Sequence, residues 1–301
     1  MSTPTTAPAG APAGATAGAA AGRPGATHRV TFARVLRSEW IKFWSLRSTV
    51  WTLASTVVVM AAVSYLAVFF TAREAFDPVT KPEDVALLVA LLRDPSLVLT
   101  GADLAKLVVA VLGVLIVTGE YSTGMIRSTL TAVPRRLPAL WAKALVLTAV
   151  TAITAAVAVV LSWVVALPTL HAHDAALDLA DPQTRRILLG GVLYLVAVCL
   201  LAFAVGAIVR LSAGALAAVL GLLLVVEVMF RTIPADFFRN VSPFLPGTAG
   251  HQLLATQAGI EQARATSSAP VLDPWTGYGV MLAWVAVLLA VAAVLLRRRD
   301  V

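Results

Sequence analysis

Two pairs of oppositely charged residues stand near the ends of apolar stretches of this sequence. Asp103 and Lys106 are three positions apart, and Glu227 and Arg231 are four positions apart. On a helix both spacings place the two side chains on one face, where opposite charges can neutralise each other. The simpler interpretation is ion pairing at a membrane surface, and the alternative is that these residues line a transport path. No acid stands in the middle of an apolar stretch, which counts against an ion-driven transporter.

A second group with possible chemistry is His171, His173 and Asp174. Two histidines at this spacing can share one face of a strand and bind a metal ion, but a complete site needs further ligands. We therefore interpret the group as a solvated loop and expect no metal site. The sequence has no GxxxxGKS/T, GxSxG, HExxH or paired CxxC motif, and Cys199 is its single cysteine. We expect no disulfide, no catalytic residues, no cofactor bound by this chain and hence no enzymatic activity of its own.

The strongest local pattern is the polar segment 119–143 between two apolar stretches. It contains Gly119-Glu120, Gly124-Met125, Pro134-Arg135-Arg136 and finally Lys143. Its centre can form a short helix, which Pro134 would end. A short helix attached to two long ones is a good mechanical lever. The simpler interpretation is a basic loop that only sets the orientation of the flanking helices.

Composition predicts the elements that must position these residues. Of the 301 residues, 59% are hydrophobic and 13% are charged, and the mean hydropathy is +0.87. Soluble domains have about 45–50% apolar and about 25% charged residues. Because so many apolar side chains must face lipid, we predict an all-α integral membrane protein.

Six apolar stretches are long enough to cross a membrane, which takes about 20 helical residues. The predicted spans are residues 49–70, 99–119, 141–167, 187–209, 212–230 and 277–296. Only a few residues, Arg210 to Ala213, separate the fourth and fifth spans, so we expect a tight antiparallel hairpin there. Glycines at 190–191 and within 214–221 predict close approach between helices.

The distribution of lysine and arginine predicts the orientation, because short cytoplasmic loops carry an excess of both. With a cytoplasmic N terminus, most basic residues fall on the inner side and most acidic residues on the outer side, so the C terminus is also cytoplasmic. Arg185 and Arg186, before the fourth span, are exceptions. The net charge of +7 and the pI near 10.2 follow from this topology and from anionic headgroups. We therefore expect no nucleic-acid partner.

The chain before the first span has two parts. Residues 1–27 are rich in Ala, Gly and Pro, and we predict a disordered cytoplasmic tail, followed by one transmembrane domain over 28–301. Residues 30–47 predict an amphipathic helix that lies in the membrane interface. Its characteristic side chains are Arg37, Glu39, Trp40, Lys42 and Trp44.

The largest predicted external segment covers residues 231–275 and contains several prolines. We expect it to form a cap over the outer leaflet or a re-entrant element, with a short helix around His251 to Gln262. Residues 85–92 predict another short interfacial helix. Neither segment is long enough to be a soluble domain.

In the segment 119–143 the chain resembles the permease subunits of ATP-binding-cassette (ABC) transporters, exporter type 2. That family has a GE-x3-GT-like loop that ends in P-x-R/S-R and is followed by lysine, and Met125 stands where the family has threonine. The sequence from Glu39 to Thr49 resembles the family's interfacial connecting helix. The order of these motifs, the six spans and the basic C terminus extend the resemblance over residues 30–301.

The resemblance implies a mechanism. A separate cytoplasmic ATPase, which holds ATP and Mg, would press on the segment 119–136, and a second permease subunit, identical or different, would form the path together with this chain. The residues implied in coupling to the ATPase are Glu120, Tyr121, Gly124, Met125, Ile126, Arg127, Arg135 and Arg136. The three arginines would pair with acids on the ATPase, and Glu120 would anchor the loop.

The predicted function is thus the permease of an ABC-type efflux system that exports a hydrophobic or amphipathic molecule. Two alternatives stay open, an ion-driven secondary transporter and a membrane scaffold or regulator without transport activity. The alanine-rich composition is typical of a high-GC bacterium, which predicts a location in the bacterial plasma membrane, among its lipids.

Overall fold

The computed structural model describes residues 31–125, 136–267 and 269–298, with the side chain of Arg136 excepted. Every regular element in these residues is a helix, so the predicted all-α class is confirmed. The structure does not describe residues 1–30 and 126–135, so the predicted disordered tail (1–27) and the predicted short helix that ends at Pro134 stay predictions.

Six long helices form the body of the molecule. They are α2 (Arg47–Ala75), α4 (Ala102–Ser122, after a 3-10 turn at Leu97–Leu99), α5 (Arg136–Ala172), α6 (Pro182–Val209), a composite helix (Ser212–Thr232) and α12 (Pro274–Arg298). The composite helix consists of α7 (Ser212–Leu220), a π-helical turn (Gly221–Val226) and α8 (Glu227–Thr232). All six are long and apolar enough to cross a membrane. The chain therefore has the build of a multi-pass membrane protein.

The helices correspond one to one with the predicted spans, but most extend further. The first reaches Arg47–Ala75 where 49–70 was predicted, and the third reaches Arg136–Ala172 where 141–167 was predicted. An apolar stretch marks only the part that faces hydrocarbon, whereas the backbone hydrogen bonds of a helix continue until a residue ends them. The predicted boundaries are therefore too short by up to five residues.

The limits of α6 illustrate these end signals. Pro182 occupies its first turn, and the Asp181 carboxylate accepts a hydrogen bond from Thr184 N at 2.9 Å. That hydrogen bond lowers the pKa of the Asp181 carboxyl below its ordinary value. The helix ends where Arg210 adopts a left-handed conformation with φ of 64°, and α7 begins at Ser212. The predicted hairpin between the fourth and fifth spans is confirmed, since α6 and α7 pack against each other.

The core lies between α4 and α6, the most extensive helix contact among the described residues. Gly206 of α6 lies so close to α4 that an added methyl group would meet Val114 backbone atoms at 3.2 Å. Gly190 similarly faces the Leu253 carbonyl oxygen, at 2.9 Å from where its methyl group would be. The predicted packing role of Gly190 is confirmed, whereas Gly221 has open space beside it.

Five shorter helices complete the described chain, with α7 and α8 counted as parts of the composite helix. They are α1 (Phe32–Ser45), α3 (Pro82–Leu92), α9 (Asp236–Val241), α10 (Pro246–His251) and α11 (Gln257–Thr266), together with several 3-10 turns. The predicted helices at 30–47 and 85–92 are thus present. The short helix predicted around His251 to Gln262 is present but begins later, at Gln257, because Thr256 caps it by accepting a hydrogen bond from Gly259 N.

The bundle has two distinguishable ends. At the end that we call the α1 end, residues Glu39, Gly119, Lys143 and Ser212 line a common cavity. At the other, which we call the far end, the segment 233–273 packs on the ends of α6 and α12. Trp284 of α12, for example, donates a hydrogen bond to the Phe244 carbonyl oxygen at 3.0 Å.

Candidate functional site

Four charged side chains meet at the α1 end and form what we call the ion cluster: Glu39, Lys42, Glu120 and Lys143. Lys143 Nζ lies 2.6 Å from Glu39 Oε2 and 2.8 Å from Glu120 Oε1. Lys42 Nζ lies 2.8 Å from Glu39 Oε1 and 3.4 Å from Glu120 Oε1. Each lysine thus bridges the two carboxylates, and the four formal charges sum to zero.

Three helices that are distant in sequence bring these side chains together. Val35, Glu39 and Phe43 are spaced by four residues and form the buried stripe of α1, which packs against α5. Glu120 belongs to the last turn of α4, and Lys143 lies on the second turn of α5. The ion cluster therefore ties α1 to both helices that flank residues 123–135.

The electrostatics of the ion cluster favour its charged form. Burial alone would raise the pKa of the Glu39 carboxyl, but the charges and hydrogen bonds of Lys143 and Lys42 outweigh burial and lower that pKa. Burial would also lower the pKa of the Lys42 ammonium, but the hydrogen bond to Glu39 and the charges of Glu120 and Glu39 raise it. Both groups are thus ionised at neutral pH. Because the two pairs of Lys143 are buried, separating them costs far more than it would at an exposed site.

A cavity of about 360 Å³ lies beside the ion cluster. Apolar side chains form most of its wall, and Ser45, Ser48, Ser122, Thr123 and Ser212 add hydroxyl groups to it. Glu120 Oε2 is buried and accepts no hydrogen bond from the part of the chain that the structure describes. A cavity of this size with apolar and polar lining residues falls in the range of small-molecule sites.

The structure describes only some of the residues predicted to couple to an ATPase. Gly124 has φ of +71°, a conformation that favours glycine, and Met125 is exposed. The Tyr121 ring lies under the Arg210 guanidinium, 5.2 Å from ring centroid to Cζ, which joins α4 to the α6–α7 hairpin. Ile126, Arg127 and Arg135 and the side chain of Arg136 lie outside the described residues, so their roles stay predictions.

The helix α1 contains the residues predicted for an interfacial helix, but they divide between two faces. Trp40 and Trp44 are exposed and pack edge to face, and Arg37 is also exposed. Glu39 is only 3% exposed and belongs to the ion cluster. Sequence reasoning named Glu39 and Lys42 in one motif and Glu120 and Lys143 in another without joining them. The available signal was an acid in the middle of the apolar stripe Val35–Phe43.

At the far end the two predicted ion pairs have different outcomes. Asp103 and Lys106 do pair, at 3.0 Å. Glu227 does not pair with Arg231, and the prediction of that pair is wrong for the described structure. Instead Glu227 Oε1 accepts a hydrogen bond from Gly247 N at 2.7 Å, because a residue without a side chain lets the start of α10 come close to it.

Further contacts attach the segment 233–273 to the bundle. Arg186 donates hydrogen bonds to the carbonyl oxygens of Leu253 and Ala255, at 2.9 and 2.8 Å. This contact gives Arg186 a structural role at the far end, where the charge distribution alone made it an exception. His251 Nε2 lies 3.8 Å from Asp103 Oδ1.

The histidines considered as metal ligands do not converge. His173 Nδ1 lies 2.8 Å from the Thr169 carbonyl oxygen, and its ring lies against Phe76. Within residues 31–125, 136–267 and 269–298, no three His, Cys, Asp or Glu side chains are grouped as metal ligands.

No protein-family model matches the chain, and no curated protein sequence matches it.

Proposed function

We propose that this chain is the membrane-spanning permease subunit of an ABC-type efflux transporter, powered by a separate cytoplasmic ATPase. The observation that carries the proposal is the ion cluster. It fastens α1 to the two helices on either side of residues 123–135, the connection on which the ATPase would act.

The ion cluster suits the transmission of force from that connection. A push on residues 123–135 moves the end of α4 and the start of α5 together, because Lys143 joins Glu120 to its own helix at 2.8 Å. The same lysine draws α1 along through Glu39 at 2.6 Å. Since separating buried ion pairs is costly, these three helix ends move as one body and shift the spans attached to them.

The orientation in this proposal places the α1 end in the cytoplasm. Basic residues gather there, including Arg297 and Arg298 at the end of α12. The exposed rings of Trp40 and Trp44 then lie at the level of the headgroups, which makes α1 an interfacial helix. Both termini are cytoplasmic, and the membrane is a bacterial plasma membrane.

The path for the exported molecule lies between this chain and a second permease subunit. The composite helix Ser212–Thr232 has the least buried span of the six and exposes Leu224, Val225 and Val228. Such an apolar face suits lipid, a second subunit and a hydrophobic or amphipathic substrate. ATP and Mg belong to the ATPase, and this chain contributes no catalytic group.

An ion-driven secondary transporter is the second candidate, because of Glu227. Its carboxylate is 6% exposed within a span and forms no ion pair with described residues. Buried acids of this kind carry protons in transporters. The hydrogen bond from Gly247 N gives the same carboxylate a structural role, which is why we rank this candidate second.

Purification of the tagged full-length chain from membranes in mild detergent tests the proposal. The wild type should bring down a nucleotide-binding ATPase in equal amount, with measurable ATP hydrolysis. Arg127→Glu should lose the partner or its activity, whereas the matched change Arg93→Glu, at an exposed residue of the far end, should not.

Recovery of the chain alone, without ATP hydrolysis, would contradict the permease proposal. Transport that depends on a proton gradient and is lost in Glu227→Gln would then favour the ion-driven transporter.

A further inference from the structure

The hydroxyl groups that line the cavity beside the ion cluster already use their hydrogens within the protein. Ser45 donates to the Lys42 carbonyl oxygen at 2.7 Å. Ser122 and Thr123 both donate to the Gly119 carbonyl oxygen, at 3.0 and 2.8 Å. Because a carbonyl oxygen can only accept, the hydroxyl is the donor in each pair. These three hydroxyl oxygens therefore keep their lone pairs for a hydrogen bond from a ligand.

The same reasoning applies to Ser212, at the start of α7. Thr118 Oγ1 donates to the Val114 carbonyl oxygen at 3.0 Å, so Thr118 accepts the hydrogen bond that joins it to Ser212 at 2.9 Å. The fifth hydroxyl of the wall, Ser48, can donate or accept. We call the four that can only accept the acceptor hydroxyls: Ser45, Ser122, Thr123 and Ser212.

Hydroxyl and apolar groups occupy different depths of the cavity. Ser122 is the last residue of α4, whereas Leu115 and Ile116 lie two turns earlier in that helix, about 10 Å deeper in the bundle. Ser45 ends α1 and Ser212 begins α7, so these hydroxyls also stand at helix ends. The ends of spanning helices lie at the membrane surface. A molecule that fills the cavity therefore has its polar part at the surface and its apolar part toward the interior.

The acceptor hydroxyls determine the kind of polar head that binds. They are neutral, and the formal charges of the ion cluster sum to zero, so nothing in the wall repays the hydration that a charged head loses on burial. An anionic head without a hydrogen to donate would also face oxygen lone pairs. Sugar and glycerol units are neutral and carry several hydroxyl donors, and the volume of about 360 Å³ is in the range of small-molecule sites.

We propose that this cavity binds an amphiphile with a neutral, hydroxylated head, whose hydroxyl groups donate to the acceptor hydroxyls while its alkyl chain lies against Leu115 and Ile116. Two sources share this chemistry, a free alkyl glycoside and a membrane lipid with a sugar headgroup. The site needs no ATPase, so its existence is independent of the proposed transport function.

Leu46 offers a direct reporter of occupancy. It lines the cavity, is 50% exposed and lies between α1 and α2, outside the acceptor hydroxyls. Native Cys199 is buried and will not compete for a thiol reagent. In Leu46→Cys, the rate of alkylation by N-ethylmaleimide therefore reports whether the cavity is occupied. A thiol introduced by Ser267→Cys at the far end controls for general effects of an amphiphile.

The experiment compares three octyl compounds on the full-length protein in phosphatidylcholine nanodiscs, whose headgroups have no hydroxyl. They are octyl glucoside, octyl tetrahydropyranyl ether, which keeps the ring and chain without any hydroxyl, and octylamine, whose head is charged. All are added at equal mole fraction in the membrane, below the amount that dissolves the disc.

At about ten times its dissociation constant, octyl glucoside should slow alkylation in Leu46→Cys about tenfold, because only unoccupied protein reacts. The ether and the amine should leave that rate unchanged, and the rate in Ser267→Cys should be unaffected by all three. Equal protection by either comparison compound, or none by the glucoside, would overturn the proposal.

A pair of double variants in the reporter background tests the acceptors without unfolding the chain. Ser122→Ala with Thr123→Val removes two acceptor hydroxyls, and the Gly119 carbonyl oxygen still accepts a hydrogen bond from Thr123 N at 3.1 Å. The dissociation constant of octyl glucoside should rise about tenfold. Thr52→Val with Ser55→Ala is the matched control, since these hydroxyls also donate to carbonyl oxygens of their own helix but lie outside the cavity. Unchanged affinity in the first pair, or an equal loss in both, would also overturn the proposal.

The two sources of the hydroxylated head are then separated by lipid. In nanodiscs that contain glucosyldiacylglycerol, slow alkylation without any added glucoside identifies the lipid headgroup as the occupant. Fast alkylation that octyl glucoside slows identifies a free amphiphile. Either result supports the site and names its occupant.

Discussion

The two ends of α4 each carry an acid, and the two acids have contrasting surroundings. Glu120 at the α1 end is buried and shares two lysines with Glu39. Asp103 at the far end is half exposed and pairs with Lys106, one turn along the same helix. Charge at the α1 end thus connects helices that are distant in the chain, whereas this charge pair at the far end stays within one helix.

At the far end, several polar contacts pair a side chain with a backbone group. Gly247 N donates to Glu227, and Arg186 donates to the carbonyl oxygens of Leu253 and Ala255. Contacts of this kind fix a loop segment on a bundle but do not join two spans by charge. The comparison indicates that the α1 end resists separation of its helices, while the far end can release its covering segment at lower cost.

Removal of the central lysine should have the largest effect. Lys143→Met leaves two buried carboxylates with Lys42 as their remaining lysine within the ion cluster, and it should lower the free energy of unfolding by about 3–5 kcal/mol. This loss is measured by titrating the protein with sodium dodecyl sulfate in mixed micelles and monitoring unfolding by tryptophan fluorescence. Lys81→Met is the matched control, since Lys81 is exposed and 4.0 Å from Glu83, and it should change little. If Lys143→Met and Lys81→Met lowered the free energy of unfolding equally, the ion cluster would be no more stabilising than an exposed ion pair.

Loss of Arg186 should loosen the far end alone. Arg186→Gln removes two charge-assisted hydrogen bonds to carbonyl oxygens, which should ease local opening by about 3 kcal/mol. Hydrogen exchange of the amides in 252–256 reports this opening. The neighbouring exposed Arg185→Gln should leave that exchange unchanged. Faster exchange throughout the bundle would show that Arg186 stabilises more than this segment.

A Glu→Gln substitution at Glu227 and at Glu120 distinguishes the contribution of the carboxylate's charge from that of its hydrogen bonds. Glu227→Gln keeps an acceptor for Gly247 N and should cost less than about 1 kcal/mol, whereas Glu227→Ala leaves that amide without its acceptor and should cost about 2 kcal/mol. Glu120→Gln should cost more than Glu227→Gln, because it removes a charge that balances Lys143. Unfolding titrations of the three variants test this order, and the reverse order would contradict it.

The smallest expected effect is a change in pH dependence. The pKa of Glu39 is lower in the folded protein than its ordinary value of about 4.3. Its contribution to stability is therefore complete above that value and is lost as the pH falls through the lowered folded pKa. In Glu39→Gln the acid-side fall in the free energy of unfolding should be shallower, by up to about 1 kcal/mol per pH unit. An unchanged slope would mean that Glu39 titrates alike in the folded and unfolded chains.

Sequence reasoning could find the helices because hydrophobicity is a local property. A window of about 20 residues is enough to recognise a span, and Arg210 to Ala213 stand out as a break. The helix ends were less predictable, since they depend on particular caps such as Asp181. The π-helical turn Gly221–Val226 has no such local mark and was not predicted.

The ion cluster could not be assembled from sequence because its members are far apart in the chain. Glu39 and Lys143 are separated by 104 residues, and only the packing of α1 on α5 brings them within 2.6 Å. The reverse error occurred at Glu227, where a plausible local partner, Arg231, was favoured over a backbone amide 20 residues away. Local spacing suggests which pairs are possible, and tertiary packing decides which of them form.

Photo-crosslinking tests the central claim, that an ATPase acts on the α1 end, most directly. A photoreactive amino acid at exposed Met125 should crosslink to a nucleotide-binding ATPase in membranes, with a yield that changes when ATP is added. The same group at Val79, which is 89% exposed at the far end, should not capture it. Capture at Met125 alone is the predicted result. No ATPase at Met125, or capture at Val79 instead, would contradict the account.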